Sequence, residues 1–152
     1  MDELDRRILD ALQQDFPLSE RPFDAVATRL GIDGDVLWDR VTRMCGDGTI
    51  RRIGASLDSR RLGFSSTLAA VCVEPEEVER AAAIIARYRE ITHSYLRDHR
   101  FNIWFTIIAP DAERIQAILH EIRMDLALEA GEVLDLPMIR QFKLDARFKA
   151  RP

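Results

Sequence analysis

His93, Tyr95 and Arg97 recur at every second position, and His99, Asn102 and Trp104 follow close behind. Two of the chain's three histidines, one of its two tyrosines and one of its two tryptophans fall within residues 92–106. Each type supplies something different. An imidazole exchanges protons near neutral pH, and a guanidinium grips carboxylates through a planar fork of N–H groups. An indole or phenol offers a flat apolar face with a polar edge. Such a set suits a flat, anionic ligand on which protons have to move.

These residues share a site only if the backbone places them together, and strand alternation does so. In an extended hairpin over 91–108, side chains alternate between faces. Phe101, Ile103, Phe105 and Ile107 then form the apolar face beneath covering helices, with Leu96 as their core partner on the first strand. Asn102, Trp104 and Thr106 point the other way, as do His93, Tyr95 and Arg97. His99 and Arg100 fall on the turn, where parity no longer predicts direction.

The rest of the chain supplies two modules. In the first, residues 1–62, Leu4, Ile8, Leu9 and Leu12 recur at helical spacing behind a capping Asp2. A second helix over Phe23–Leu30 stops at Gly31. A third follows Asp33 and carries Leu37, Val41 and Met44 inward. Thr49 to Ala55 then alternates like a strand, which makes the module a winged helix-turn-helix.

The second module, residues 63–152, opens with a strand from Phe64 to Val73. A helix begins at Pro75 with Val78, Ala82, Ile85 and Tyr88 as its buried side, and the hairpin follows. Asp111 caps another helix bearing Ile115, Ile118, Leu119 and Ile122. A last strand lies between Glu132 and Leu144, interrupted by Pro137. The fold class is α+β: a winged helix-turn-helix followed by a ferredoxin-like βαββαβ domain whose sheet keeps one face free.

Composition narrows the function classes. The 152 residues are 47% apolar and 32% charged, with a net charge of −4, as in a globular domain protein. No apolar run reaches the roughly 18–20 residues that cross a bilayer, so no membrane partner is expected. Cys45 and Cys72 form no Cys-x-x-Cys or zinc-ligand spacing. Two reduced thiols point to the cytoplasm, and no protein-held metal is expected.

A helix-turn-helix raises the question of DNA. The third helix presents Asp35, Trp38, Asp39, Thr42 and Arg43, and residues 1–63 hold 12 acidic against 10 basic residues, a net of −2. A DNA-reading module carries the opposite sign, so nucleic acid is not the expected partner. The basic residues that do cluster are Arg51 and Arg52 on the wing and Arg60 and Arg61 at the module junction. A polycarboxylate held between wing and sheet would use Arg51 and Arg52 together with Arg97.

Three segments carry a family resemblance: Phe16-Pro17-Leu18 with Arg21-Pro22-Phe23, then Ile50-Arg51-Arg52-Ile53-Gly54, then Thr92-His93-Ser94-Tyr95-Leu96-Arg97 running into Asn102-Ile103-Trp104-Phe105-Thr106. The layout resembles the leucine-responsive/asparagine regulators (Lrp/AsnC). The segments are more specifically similar to the siroheme decarboxylase subunits that share that fold and serve heme and heme d1 biosynthesis. Ser94 stands where that family usually has Asn.

The resemblance implies a carboxy-lyase that removes the carboxyl groups of the C12 and C18 acetates of siroheme to give didecarboxysiroheme. It also implies a homologous second subunit in a heterodimer, with a homodimer through the ferredoxin-like sheet as the other arrangement. The alternative is an Lrp/AsnC-type DNA-binding regulator that senses a small molecule.

Loss of CO2 from a ring acetate needs an electron sink, which protonation of the adjacent pyrrole carbon provides. His93 is the first choice of acid or, alternatively, a ligand to the substrate iron; His99 is the second acid. Tyr95 orients a carboxylate or relays a proton, Arg97 and Asn102 hold the substrate, and Trp104 is a wall for the macrocycle. No cofactor is expected beyond the iron-containing tetrapyrrole substrate itself.

Overall fold

A computed structural model of the chain describes residues 1–143, Asp145 and Arg147. Leu144, the far limit of the expected last strand, and the end of the expected second module (146 and 148–152) lie outside the described residues. The chain forms two compact units, Met1–Ala55 with the described residues from Lys143 on, and Ser56–Phe142.

The first unit contains α1 (Glu3–Gln14), α2 (Pro22–Leu30) and α3 (Gly34–Gly46). Each boundary has a local cause. Asp2 and Asp5 form a reciprocal capping box at α1, each carboxylate accepting the other's backbone N–H at 2.9 Å. Pro22 starts α2, and Gly31 ends it at φ 67°, a left-handed conformation that costs glycine little. Asp33 caps α3 through the Asp35 N–H. The inward stripes meet as expected, with Ile8, Val26, Leu37, Val41 and Met44 buried together.

The expected wing strand is absent. After α3 the Ile50 N–H donates to the Met44 carbonyl at 2.8 Å and Ile50 joins the core, but residues 51–55 are irregular and exposed. A strand needs a ladder partner, and no other strand exists among the described residues of this unit. The alternation of Ile50 and Ile53 buries only its first member, since Ile53 is exposed.

The second unit holds β1 (Ser65–Val71), α4 (Val78–Ile85), β2 (Ile91–Leu96), β3 (Ile103–Ala109), α5 (Ala112–Asp125) and β4 (Val133–Pro137). The strands form one antiparallel sheet in the order β2-β3-β1-β4, the ferredoxin-like arrangement. A 3-10 turn, Ser59–Leu62, belongs to this unit. Arg60 anchors it by donating to Gln141 Oε1 at 2.6 Å, so the units divide seven residues before the boundary expected from the sequence.

One sheet face is dry. Ala69 and Val71 of β1 with Ile103, Phe105 and Ile107 of β3 pack beneath Ala81, Ile84 and Ile85 of α4 and Ile115, Ile118, Leu119 and Ile122 of α5. A buried Thr67 hydroxyl donates to Asp135 on β4, whose other oxygen accepts from Gln116 of α5 at 2.6 Å. That satisfies the one polar side chain this core takes in. Helix α4 is shorter than expected and leaves Tyr88 partly buried beyond its end. The other sheet face carries Leu68 and Leu136, both exposed, beside the hairpin's polar and aromatic residues.

Candidate functional site

Strand β3 behaves as its alternation requires, with Ile103, Phe105, Ile107 and Ala109 buried and Trp104, Thr106 and Ile108 half-buried on the opposite side. Strand β2 lies at the sheet edge and is exposed along nearly its whole length. Its register places His93 opposite Thr106, Tyr95 opposite Trp104 and Leu96 opposite Ile103. His93 and Tyr95 therefore share the helix-free face with Trp104 and Thr106.

Two apolar expectations fail. Leu96 lies on the helix side but is 64% exposed, because no helix extends over the end of the edge strand. Phe101 sits in the turn and is only half-buried. There it stacks with His99 and lies under the Arg100 guanidinium at 5.5 Å.

The register shifts between Ile91 and His93, which marks a β-bulge at Thr92. A bulge inserts an extra residue and re-aims side chains locally. Its effect appears in a contact that simple alternation forbids: Thr92 Oγ1 lies 2.9 Å from Nδ1 of the adjacent His93. The His93 Nε2 is 3.5 Å from Thr106 Oγ1 across the ladder. The Tyr95 ring meets the imidazole edge-on, with centroids 5.6 Å apart.

A second cluster forms at the hairpin end. The Trp104 indole N–H donates to the Phe101 carbonyl at 2.7 Å, which fixes the ring. The Arg97 guanidinium lies over that ring at 5.9 Å. Arg97 makes no ion pair among the described residues, so its fork of donors is open to a ligand carboxylate. The His99 ring lies 6.4 Å from Trp104, and its Nδ1 accepts the Phe101 N–H at 3.1 Å. An accepting Nδ1 is unprotonated, so the neutral His99 ring carries its proton on Nε2.

Asn102 has a structural task that its residue type does not reveal. Its amide donates to the Val73 carbonyl at 2.7 Å and its oxygen accepts the Val73 N–H at 3.1 Å. Both ends of the side chain clamp the chain leaving β1, so Asn102 frames the hairpin. Arg51 and Arg52 belong to the first unit and are exposed. Thr92 and Thr106 are the functional candidates that residue type alone passed over, and only the bulge and the cross-strand register bring them to His93.

Arg40 and Arg43 of α3 are engaged differently. Arg40 donates to Asp2 at 2.6 Å and to Asp5 at 2.9 Å, and Arg43 donates to Asp5 at 2.7 Å. Burial pushes the Asp5 carboxyl up, but the Asp2 N–H and the Arg43 and Arg40 guanidinium groups outweigh it and hold Asp5 at about 2. On the sheet unit, burial and then the bond to Glu121 push the Tyr88 phenol up to about 12. Among the described residues, no group of three or more His, Cys, Asp or Glu side chains is placed to hold a metal ion. No helix there is long and apolar enough to cross a membrane.

Residues 5–51 match the model of the siroheme decarboxylase NirDL-like HTH domain, and residues 61–143 match that of the AsnC-like ligand binding domain. The chain is 40% identical over 149 residues to the siroheme decarboxylase alpha subunit of Desulfovibrio desulfuricans, covering 98% of this chain and 84% of that one. The chain belongs to the siroheme decarboxylase family. The siroheme decarboxylase NirD subunit of Stutzerimonas stutzeri is also 40% identical, over 97% of this chain and 95% of its own.

The crystal structure of the family member NirDL in complex with an iron-uroporphyrin III analogue superposes with a TM-score of 0.70 at 28% identity. It covers 93% of this chain, which spans about half (47%) of NirDL. An AsnC family transcriptional regulator from Agrobacterium tumefaciens has a TM-score of 0.75 at 24% identity, over 97% of this chain and 96% of its own, and attests the shared fold.

Proposed function

We propose that this chain is a subunit of a cytoplasmic siroheme decarboxylase, a carboxy-lyase that removes the C12 and C18 acetate carboxyl groups of siroheme. The observation that carries this reading is full-length similarity, at 40% identity, to siroheme decarboxylase subunits. The hairpin adds an imidazole, a phenol and an open guanidinium on the helix-free side of the sheet. Free Cys45 and Cys72 suit a reducing compartment.

In the reaction, each acetate ends as a methyl group with release of one CO2 and net uptake of one proton. Protonation of the pyrrole carbon adjacent to the one that bears the acetate makes the ring an electron acceptor. The carbon–carboxylate bond then breaks, CO2 leaves, and the bonding pair forms an exocyclic double bond. Protonation of that exocyclic carbon and return of the ring proton complete the methyl group. His93 is the acid that delivers the proton. Arg97 holds a substrate carboxylate through its free donors, Tyr95 orients it, and His99 offers its Nε2–H as a further donor. The Arg97-covered Trp104 lines the macrocycle. The substrate's own ring is the electron sink, so the chemistry needs no cofactor beyond the iron-bearing tetrapyrrole.

The active assembly pairs this chain with a homologous second subunit. The relatives' names as alpha and NirD subunits support that pairing, as does NirDL's twofold greater length. Exposed Leu68 and Leu136 on the open sheet face provide apolar area for the contact.

Anaerobic incubation with siroheme, alone and with the homologous subunit, tests the reading through the mass of the tetrapyrrole recovered. Loss of two CO2 is the expected result. A protein that leaves siroheme unbound and instead binds a defined DNA operator in a salt-dependent way would be a regulator.

A further inference from the structure

We propose that Thr92 and Thr106 are positioning residues for His93, with Thr92 accepting the Nδ1–H of the imidazole and thereby reserving Nε2 for proton delivery. The inference rests on the decarboxylase reading for its purpose and on the hairpin geometry for its content. The Thr92 hydroxyl reaches Nδ1 at 2.9 Å, although adjacent residues on a regular strand point to opposite faces. The bulge between Ile91 and His93 brings the two side chains to one side. Bulges of this kind shorten a strand's regular pairing, so its coincidence with the leading proton donor is a reason to read it functionally.

The two ring nitrogens therefore differ in their surroundings. Nδ1 has a hydroxyl at full hydrogen-bond distance, whereas Nε2 has only the longer 3.5 Å approach to Thr106 Oγ1. A hydroxyl both donates and accepts. Thr92 therefore accommodates Nδ1–H in the charged ring and in the neutral ring left after Nε2 has given up its proton. Thr106 faces Nε2 from β3 and turns its hydroxyl to accept when Nε2 is protonated and to donate when it is not. Tyr95 on the same strand is a titratable neighbour, edge-on at 5.6 Å. His99 provides the contrast: its Nδ1 faces a backbone N–H that can only donate, so protonation there would oppose two hydrogens. The two rings thus differ in what faces Nδ1, a hydroxyl that can accept at His93 and a backbone N–H that can only donate at His99.

The test is nitrogen NMR of the histidine rings in the full chain, without substrate, for wild type, Thr92→Val and Thr92→Ser. The wild type and Thr92→Ser are expected to hold neutral His93 mainly as the Nδ1–H form. Thr92→Val is expected to shift the balance toward Nε2–H and to displace the His93 titration. In decarboxylation assays Thr92→Val should lower kcat by about 10-fold with little change in KM, a part of what a general acid contributes. It should also move the alkaline limb of the pH profile, where the proton-delivering form of His93 is lost, and Thr92→Ser should restore both.

An unchanged His93 tautomer ratio and titration in a folded Thr92→Val would overturn the positioning role. The NMR arm reads positioning alone. Siroheme turnover by the wild type separately reads the substrate assignment, so failure of one is distinguishable from failure of the other.

Discussion

Arg40 and Arg43 in the helix-turn-helix unit and Arg97 in the hairpin are the same side chain in opposite circumstances. The first two are bound at 2.6–2.9 Å to Asp2 and Asp5, which also cap α1. Arg97 rests on an indole and meets no carboxylate among the described residues. Guanidinium groups already satisfied by neighbouring acids hold helices together and have little left for phosphate. One supported by an aromatic ring keeps its donors for a ligand. The helix-turn-helix thus retains the architecture of a DNA reader while its α3 arginines work inside the domain. The chemistry has its candidates in the hairpin.

This contrast can be broken by moving variants between the two regions. His93→Ala should have the largest effect, lowering the decarboxylation rate by about 10²–10⁴-fold while leaving the urea midpoint near the wild-type value. A large loss of stability instead would make His93 a structural residue. Asp5→Ala should do the reverse. It removes half of the capping box and leaves Arg40 and Arg43 short of a buried partner, a loss of about 3 kcal/mol in unfolding free energy. Denaturant unfolding of the variant measures it.

Arg97→Ala comes next. It should raise KM by about 10-fold, the weight of one charge-assisted contact to a substrate carboxylate, with little change in unfolding. Equal stability losses in Asp5→Ala and Arg97→Ala would erase the distinction between the regions.

The smallest effect is in the pH dependence of stability. Asp5 has a folded value of about 2, below its ordinary 3.8. The unfolded chain therefore takes up its proton first as pH falls. The stabilisation is complete above about pH 4–5, declines below 3.8 and is lost on passing through about 2. Comparing wild type with Asp5→Asn at pH 6 and at pH 2 should show their stability difference shrinking toward acid. A difference that does not depend on pH would mean that the Asp5 charge is not what Arg40 and Arg43 recognise.

Much of this contrast was legible in the chain because its causes are local. Asp2, Asp33 and Asp111 cap helices through N–H groups two or three residues away, and Gly31 ends α2 by its own backbone conformation. The alternation of Ile103, Phe105 and Ile107 needed only strand geometry. What escaped depended on distant partners. The ion pairs of Asp5 with Arg40 and Arg43 join residues more than 30 apart in sequence. Asn102 had a ligand-like type, yet Val73 takes both of its polar atoms. Leu96 matched the core in parity but lies where no helix covers it, and the wing alternation at Ile50 and Ile53 had no strand to pair with. Thr92 escaped because a bulge breaks the very alternation that located His93.

Side-by-side anaerobic turnover of siroheme by wild type and His93→Ala, each with the homologous subunit and scored by product mass, tests the central claim most directly. The account predicts loss of two CO2 from siroheme with the wild type, and substrate recovered intact from a folded, siroheme-binding His93→Ala. Full conversion by His93→Ala would contradict it.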